Sequence, residues 1–148
     1  MREVAVIGVG MIPFGRRDED SLMDMLAYAS LKALDDAGMG DQSVDAVYVG
    51  NMGGGIIQHQ TAIASSLVDR LSMLPAAADT IENGPASGGS AVKNGLLAVA
   101  SGYYDTVLVV GVNALLGDVA DALARTGAYD QVVTAGLGGS GATRPTHE

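Results

Sequence analysis

The stretch IENGPASGGSAVKNGLLAVASG, residues 81–102, decides how the rest of the chain is read. Its first half is polar and rich in glycine; its second half reads as an apolar helix, the whole helix being small or apolar nearly all round as a buried helix is, and Gly102 supplies a C-terminal stop. The preceding AAADTIE, residues 76–82, reads as a strand despite the poor strand propensity of alanine. A strand feeding a glycine-rich turn and then a helix points backbone N–H groups at an anion, and lowers the pKa of a cysteine placed at the helix start. Here that place holds Pro85. Proline suits the first turn of a helix, where its missing N–H would have no intrahelical partner. As structure, NGPASGG predicts an unstrained entry into a helix running from about Pro85 to Ser101. As chemistry, Pro85 has no side-chain lone pair or proton to give.

On either side of this stretch, strands and helices alternate. VAVIGVG, residues 4–10, is a continuous β-branched run of the kind buried on both faces of a parallel sheet. SLMDMLAYASLKALDDAG, residues 21–38, predicts a helix with Ser21 and Asp24 as a capping box and Gly38 as its stop. VDAVYVGNMGGG, residues 44–55, predicts a strand entering a glycine-rich turn, and QTAIASSLVDRL, residues 60–71, a helix with Ile63, Ala64, Leu67, Val68 and Leu71 on one stripe. DTVLVVGVN, residues 105–113, is the clearest strand. Such alternation calls for right-handed crossovers and a mostly parallel sheet. Residues 114–127 are compatible with a further helix, while residues 128–148 are glycine-rich and aperiodic, so they are expected to be a poorly ordered tail.

Composition removes several function classes. The 148 residues are 48% hydrophobic and 17% charged, enough for one domain with a core. One Phe, no Trp and 21 glycines leave that core to aliphatic side chains, which suits layered α/β packing. Seventeen acidic against eight scattered basic residues give a net charge of −9, which argues against nucleic-acid binding and for a solvated acidic surface. With no cysteine there is no disulfide, thiolate metal site or thiol nucleophile. His59 and His147 are too few and too separated for a metal site. The apolar N-terminal run is too short for a signal segment or a membrane span, and a cytoplasmic address is the default expectation.

Three stretches together resemble the N-terminal part of the thiolase family, in the branch of sterol-carrier-protein thiolases and of bacterial and archaeal acetyl-CoA acetyltransferases. They are EVAVIGVGMIPFGRRDE, VDAVYVGNMGGG and ENGPASGGSAVKNGLLAVASGYYDTVLVVGVN, reaching to about residue 113. The family typically reads Glu-Asn-x-Cys-Ala-Ser-Gly in the third, and its cysteine aligns with Pro85. The resemblance implies an α/β fold, the thiolase N-terminal half, with a mixed, mostly parallel sheet and helices on both faces. Residues 1–127 would form that domain, incomplete because the family's C-terminal half brings a histidine base, a second cysteine and most coenzyme A contacts. It further implies acyl transfer between coenzyme A thioesters through an acyl-enzyme, with no cofactor beyond the thioester substrate. That chemistry needs a nucleophile, a base and an oxyanion hole. Pro85 cannot be acylated, and neither His59 nor His147 matches a family histidine motif.

Ser87 is the nearest hydroxyl to the lost nucleophile, but its ordinary role is local hydrogen bonding at the helix start, and no base stands ready for it. Asn83 and Gly88 are candidate substrate-binding positions; the plainer readings make Asn83 an N-cap and let Gly88 and Gly89 bring the helix close to the strands. NMGGG, residues 51–55, lacks the lysine of a phosphate loop and reads as a mobile connection. Arg16 and Arg17 read as a solvated pair, and Met11, Met23, Met25, Met52 and Met73 as core or loop fillers.

Three functions follow from the resemblance. The first is a fragment or subunit of an acyl-CoA acyltransferase that is not competent alone. The second is a non-catalytic scaffold beside an active partner, and the third a retro-aldolase relative. A lone half leaves a helix face uncovered, so the expected partners, besides acyl-CoA, are a second copy, a complementary thiolase half or an OB-fold acyl-CoA-binding protein. Family dimers pair the strand here at Ala78 to Ile81 across a two-fold axis.

Overall fold

The computed structural model describes residues 1–13, 19–40, 43–57 and 59–112. The expectations for residues 114–127, for the tail at 128–148 and for His147 lie outside them, as do Arg16 and Arg17.

The chain runs α1 (Leu22–Asp36), β1 (Ala46–Gly50), α2 (Gly54–Ile57), α3 (Ile63–Arg70), β2 (Ala77–Ile81), α4 (Ser87–Ser101) and β3 (Val107–Gly111). Each predicted strand of residues 44–113 is present, trimmed by a few residues at its ends. The sheet has the order β2-β1-β3 and both pairings are parallel, with Gly50 opposite Ile81 on one side and Gly111 on the other. All three strands therefore end at one level, and the connections leaving them gather at one edge of the sheet.

Strand side chains alternate between two faces. Val47, Val49, Leu108 and Val110 join Leu22, Leu26, Leu34, Ile63, Leu67 and Val68 in the main core, so α1 and α3 cover this face. The other face carries α4, which contacts all three strands. Gly95 is what lets it sit close: a Cβ there would stand 2.6 Å from Val109 Cγ2 and 3.3 Å from Val107 Cγ2. Helices on both faces of a parallel sheet are the predicted architecture.

Local signals that the sequence carries are realised. Ser21 accepts from the Asp24 N–H while Asp24 accepts from the Ser21 N–H, which closes the predicted capping box. The Asp24 carboxylate also pairs with Arg70, tying α1 to α3. Gly102 ends α4 with φ +82°, a left-handed conformation that glycine takes without cost.

The run at residues 4–10 departs from expectation. No strand forms there, and Val6, Ile7 and Val9 are 84%, 60% and 69% exposed. β1 spends one edge on β2 and the other on β3, so the run has no place beside the central strand, and it pairs with the outer edge of neither β2 nor β3. The run instead lies along α1, held by the Val9 N–H on the Asp36 carboxylate (2.9 Å) and the Lys32 Nζ on the Met11 carbonyl (3.3 Å). Gly8 and Gly10 are needed for that approach, since a Cβ on either would run into Ala33 and its neighbours on α1. Arg2 anchors the other end: its guanidinium donates to the carbonyls of Val99 and Tyr104 and pairs with Asp105 at 2.6 Å. A cation there also suits the negative end of α4.

A second departure is α2. The NMGGG segment, read as a mobile connection, is a defined turn entering a single helical turn at Gly54. Among the described residues no helix is long and apolar enough to cross a membrane.

Candidate functional site

Ligands of open parallel sheets bind beyond the carboxyl ends of the strands, and that edge is here the best-organised part of the surface. Asn51 follows β1 directly and is only 3% exposed. Its backbone N–H donates to the Ile81 carbonyl at 3.1 Å, and its side-chain amide donates to the Val112 carbonyl at 2.9 Å. Its Oδ1 accepts from the Gly54 N–H at 2.9 Å. One side chain and one peptide thus join the end of β1 to the ends of β2 and β3 and to the start of α2. Gly50 lets the next layer close over this bracket, because a Cβ there would stand 2.8 Å from the Ser87 carbonyl and 2.9 Å from Gly88 Cα.

The turn at residues 82–86 sits beside it. Its first residue, Glu82, accepts from the Gly53 N–H at 3.0 Å, so the two glycine-rich segments are clasped together. Gly84 takes φ +53°, and the Ala86 and Ser87 N–H groups donate back to the Asn83 and Gly84 carbonyls. Pro85 is exposed, just outside the helix, whose first residue is Ser87 rather than Pro85.

Ser87 is 1% exposed and fully engaged. Its hydroxyl donates to the Gly84 carbonyl at 2.7 Å and accepts from the Asn83 N–H at 2.9 Å. A hydroxyl holding its proton on a carbonyl inside a turn is a structural group, as the plainer reading of the sequence has it. Asn83 is not the N-cap: Ala86 occupies that position without a side-chain bond, and the Asn83 amide donates to Ser90 Oγ at 2.8 Å. Nor do Gly88 and Gly89 serve strand packing, for a Cβ on either would meet nothing within 4 Å. Close packing falls to Gly50 and Gly95, which sit in longer apolar runs and carry no special signal in the sequence.

The remaining candidates do not converge on this edge. His59 is exposed with φ +53°, and among the described residues no group of three His, Cys, Asp or Glu is placed to hold a metal ion. A depression of about 690 Å³ is lined by Tyr48, Asp79, Ile81, Asn94 and Leu97 among others, and by none of Asn83, Pro85, Ser87 or Gly88. Within it burial, and then the nearby Asp79 charge, push the Tyr48 phenol above its ordinary value. It is an open concavity on the α4 face that reaches Ile81 and stops short of the turn residues.

The class of protein is set by fold first. A 3-oxoacyl-[acyl-carrier-protein] synthase III from Aquifex aeolicus is similar with a TM-score of 0.57 at 18% identity, over 65% of this chain and 30% of that one. A priming β-ketosynthase from a polyketide biosynthetic pathway is similar with a TM-score of 0.59 at 25% identity, over 66% of this chain and 28% of that one. The chain has the thiolase-like α/β fold.

Sequence then narrows the class. Residues 4–131 match the model of the thiolase N-terminal domain, and the chain belongs to the thiolase family. An acetyl-CoA acetyltransferase of Methanothermobacter thermautotrophicus is 43% identical over 121 residues, 82% of this chain and 31% of that protein. Another, from Methanocaldococcus jannaschii, is 39% identical over 132 residues, 88% of this chain and 33% of that protein. The chain thus spans about a third of the length of these relatives.

Proposed function

We propose that this chain supplies the N-terminal half of an acyl-CoA acyltransferase of the acetyl-CoA C-acetyltransferase type, and that it does not transfer acyl groups alone. The reading of its site rests on one observation: the turn between β2 and α4 is built to present a residue at the helix start, and the residue there is Pro85. The names of the relatives support the substrate class, acetyl-CoA and related thioesters. The position of the family nucleophile has nothing to be acylated, and Ser87 does not replace it, because its hydroxyl is buried and bound on both sides.

That engagement of Ser87 favours a second reading, a scaffold that supports an active partner. In both readings the uncovered face of α4, with Val92 and Leu96 57% and 49% exposed, is closed by another thiolase-type half or copy. Among the described residues β2 is the last strand on its side of the sheet, and its outer edge is available for pairing.

The test is intact mass after incubation with acetyl-CoA or acetoacetyl-CoA. The native chain is expected to gain no acetyl group. Pro85→Cys, mixed with a C-terminal half from a full-length relative, is expected to gain one on residue 85. An acetyl group on Ser87 of the native chain overturns the proposal, and its absence from the reconstituted variant shows that the turn is not a nucleophile site.

A further inference from the structure

Three features of the described structure stand outside what the family relationship accounts for: the open depression at Tyr48 and Asp79, the exposed run at residues 4–10, and the contact between Glu82 and Gly53. Only the third carries chemistry to the turn. A carboxylate near a helix start is drawn toward the positive end of the dipole, and Glu82 lies four residues before the N-cap Ala86. The Glu82 Oε1 is taken by the Gly53 N–H at 3.0 Å, twenty-nine residues away in sequence, and α4 begins without any side-chain cap. Gly53 reaches it only because φ there is +73°, and the same segment is pinned one residue later by the Gly54 N–H on Asn51 Oδ1. The carboxylate is thereby held on the segment that Asn51 pins to the end of β1.

We propose that Glu82 is a positioning residue, which through its bond to the Gly53 N–H fixes the turn carrying residue 85 at the start of α4. This rests on the reading of residue 85 as the family nucleophile position. Two effects of Glu82 must be separated, since they have opposite signs. As a clasp it favours an anion at residue 85 by holding that residue over the helix start. As a bare charge it would disfavour a second anion nearby. Glutamine keeps the acceptor oxygen and loses the charge, whereas alanine loses both.

The experiment uses the full chain carrying Pro85→Cys, with Glu82, Glu82→Gln or Glu82→Ala, and reads the rate of iodoacetamide alkylation at neutral pH against the same protein unfolded in urea. Far-UV circular dichroism and the urea midpoint accompany each variant; Glu82 is exposed, so folding is expected to persist. The expected result is a thiol faster in the folded than in the unfolded chain, slowed about threefold or more by Glu82→Ala and largely restored with Gln at that position. If Glu82→Ala leaves the rate unchanged, or if both replacements speed it, the clasp is overturned while the reading of the turn stands. If the folded thiol of Pro85→Cys is no faster than the unfolded one, the turn is not a nucleophile site and both fall together. In the native chain, amide hydrogen exchange of Gly53 reads the clasp without the thiol, with exchange expected to be faster in Glu82→Ala and near native in Glu82→Gln.

Discussion

Asp45 and Asn51 stand just outside opposite ends of β1, and each reaches both neighbouring strands. The Asp45 N–H donates to the Thr106 carbonyl and its own carbonyl accepts from Ala77, both at 2.9 Å, while its carboxylate accepts from the Asp105 and Thr106 N–H groups at 2.8 and 2.9 Å. Asn51 mirrors this at the far end, through Ile81 and Val112. The central strand is thus stapled at both ends, and the register that places the turn at residue 85 is set twice.

Replacing Asn51 tests the inner staple. Asn51→Ala leaves the Val112 carbonyl and the Gly54 N–H without the partner they have now, in a place only 3% exposed at residue 51. A loss of about 2 kcal/mol or more is expected in urea unfolding. Asn51→Asp should be worse at neutral pH, because it removes the donor and sets a carboxylate against the Val112 carbonyl oxygen; lowering the pH into the carboxyl range should recover part of the loss. Equal stability of the two variants across pH would refute this account of the amide.

Asp45 tests the outer staple through pH. The Thr106 N–H, and secondarily that of Asp105, hold its carboxyl below the ordinary value of 3.8. The unfolded chain then takes up this proton at higher pH than the folded one. Stability from this group is fully present above 3.8 and drains away as pH falls through the folded value. Asp24, held below its ordinary value of 3.8 chiefly by the Ser21 hydroxyl and backbone N–H, acts in the same window. Urea midpoints measured down to about pH 3 should fall less steeply for Asp45→Asn than for the native chain. Parallel slopes would mean that the carboxylate contributes nothing through these bonds.

How much of this was legible differs by element. The capping box of α1, the stripe of Ile63, Leu67 and Val68 on α3, and the strands around β1 and β3 are written as local patterns, and the structure realises them. The run at residues 4–10 has the same β-branched pattern and still lies outside the sheet, along α1, since pairing depends on contacts with distant segments that no window of sequence contains. At the site, Pro85 and the structural role of Ser87 could be read from the turn. Asn51 and the Glu82 clasp could not: each acts through a partner twenty-nine or more residues away, and a lone Asn or Glu beside glycines carries no periodic or spacing signal.

Two glycines of α4 offer a contrast in sign. Gly89 has open space where a Cβ would go, so Gly89→Ala should gain helix propensity of up to about 1 kcal/mol with nothing to displace. Gly95→Ala gains the same propensity but drives a methyl to 2.6 Å from Val109 Cγ2 on a stiff, β-branched side chain. Overpacking of this kind costs about 1–3 kcal/mol, so the net effect should be destabilising. Thermal unfolding of the two single variants settles it, and destabilisation by Gly89→Ala would show that the space beside the helix start is filled.

The uncovered face of α4 gives the last prediction. Val92 and Leu96, at i and i+4, share one stripe of the helix, and Leu97 adjoins it at 46% exposure. Burial returns roughly 25 cal/mol per Å² of apolar surface, so a stripe of this size left in water should drive association. The native chain is expected to sediment as a dimer or larger assembly at micromolar concentration. Leu96→Glu puts a charge in the middle of the stripe without touching the core beneath, and should shift the chain toward the monomer while its circular dichroism and urea midpoint stay near native. A C-terminal half from a full-length relative should compete for the same face, and Leu96→Glu should weaken that binding too. A native chain that is monomeric and gains no stability from the added half would refute the covered-face reading and, with it, the proposal that this chain works as one half of a larger thiolase assembly.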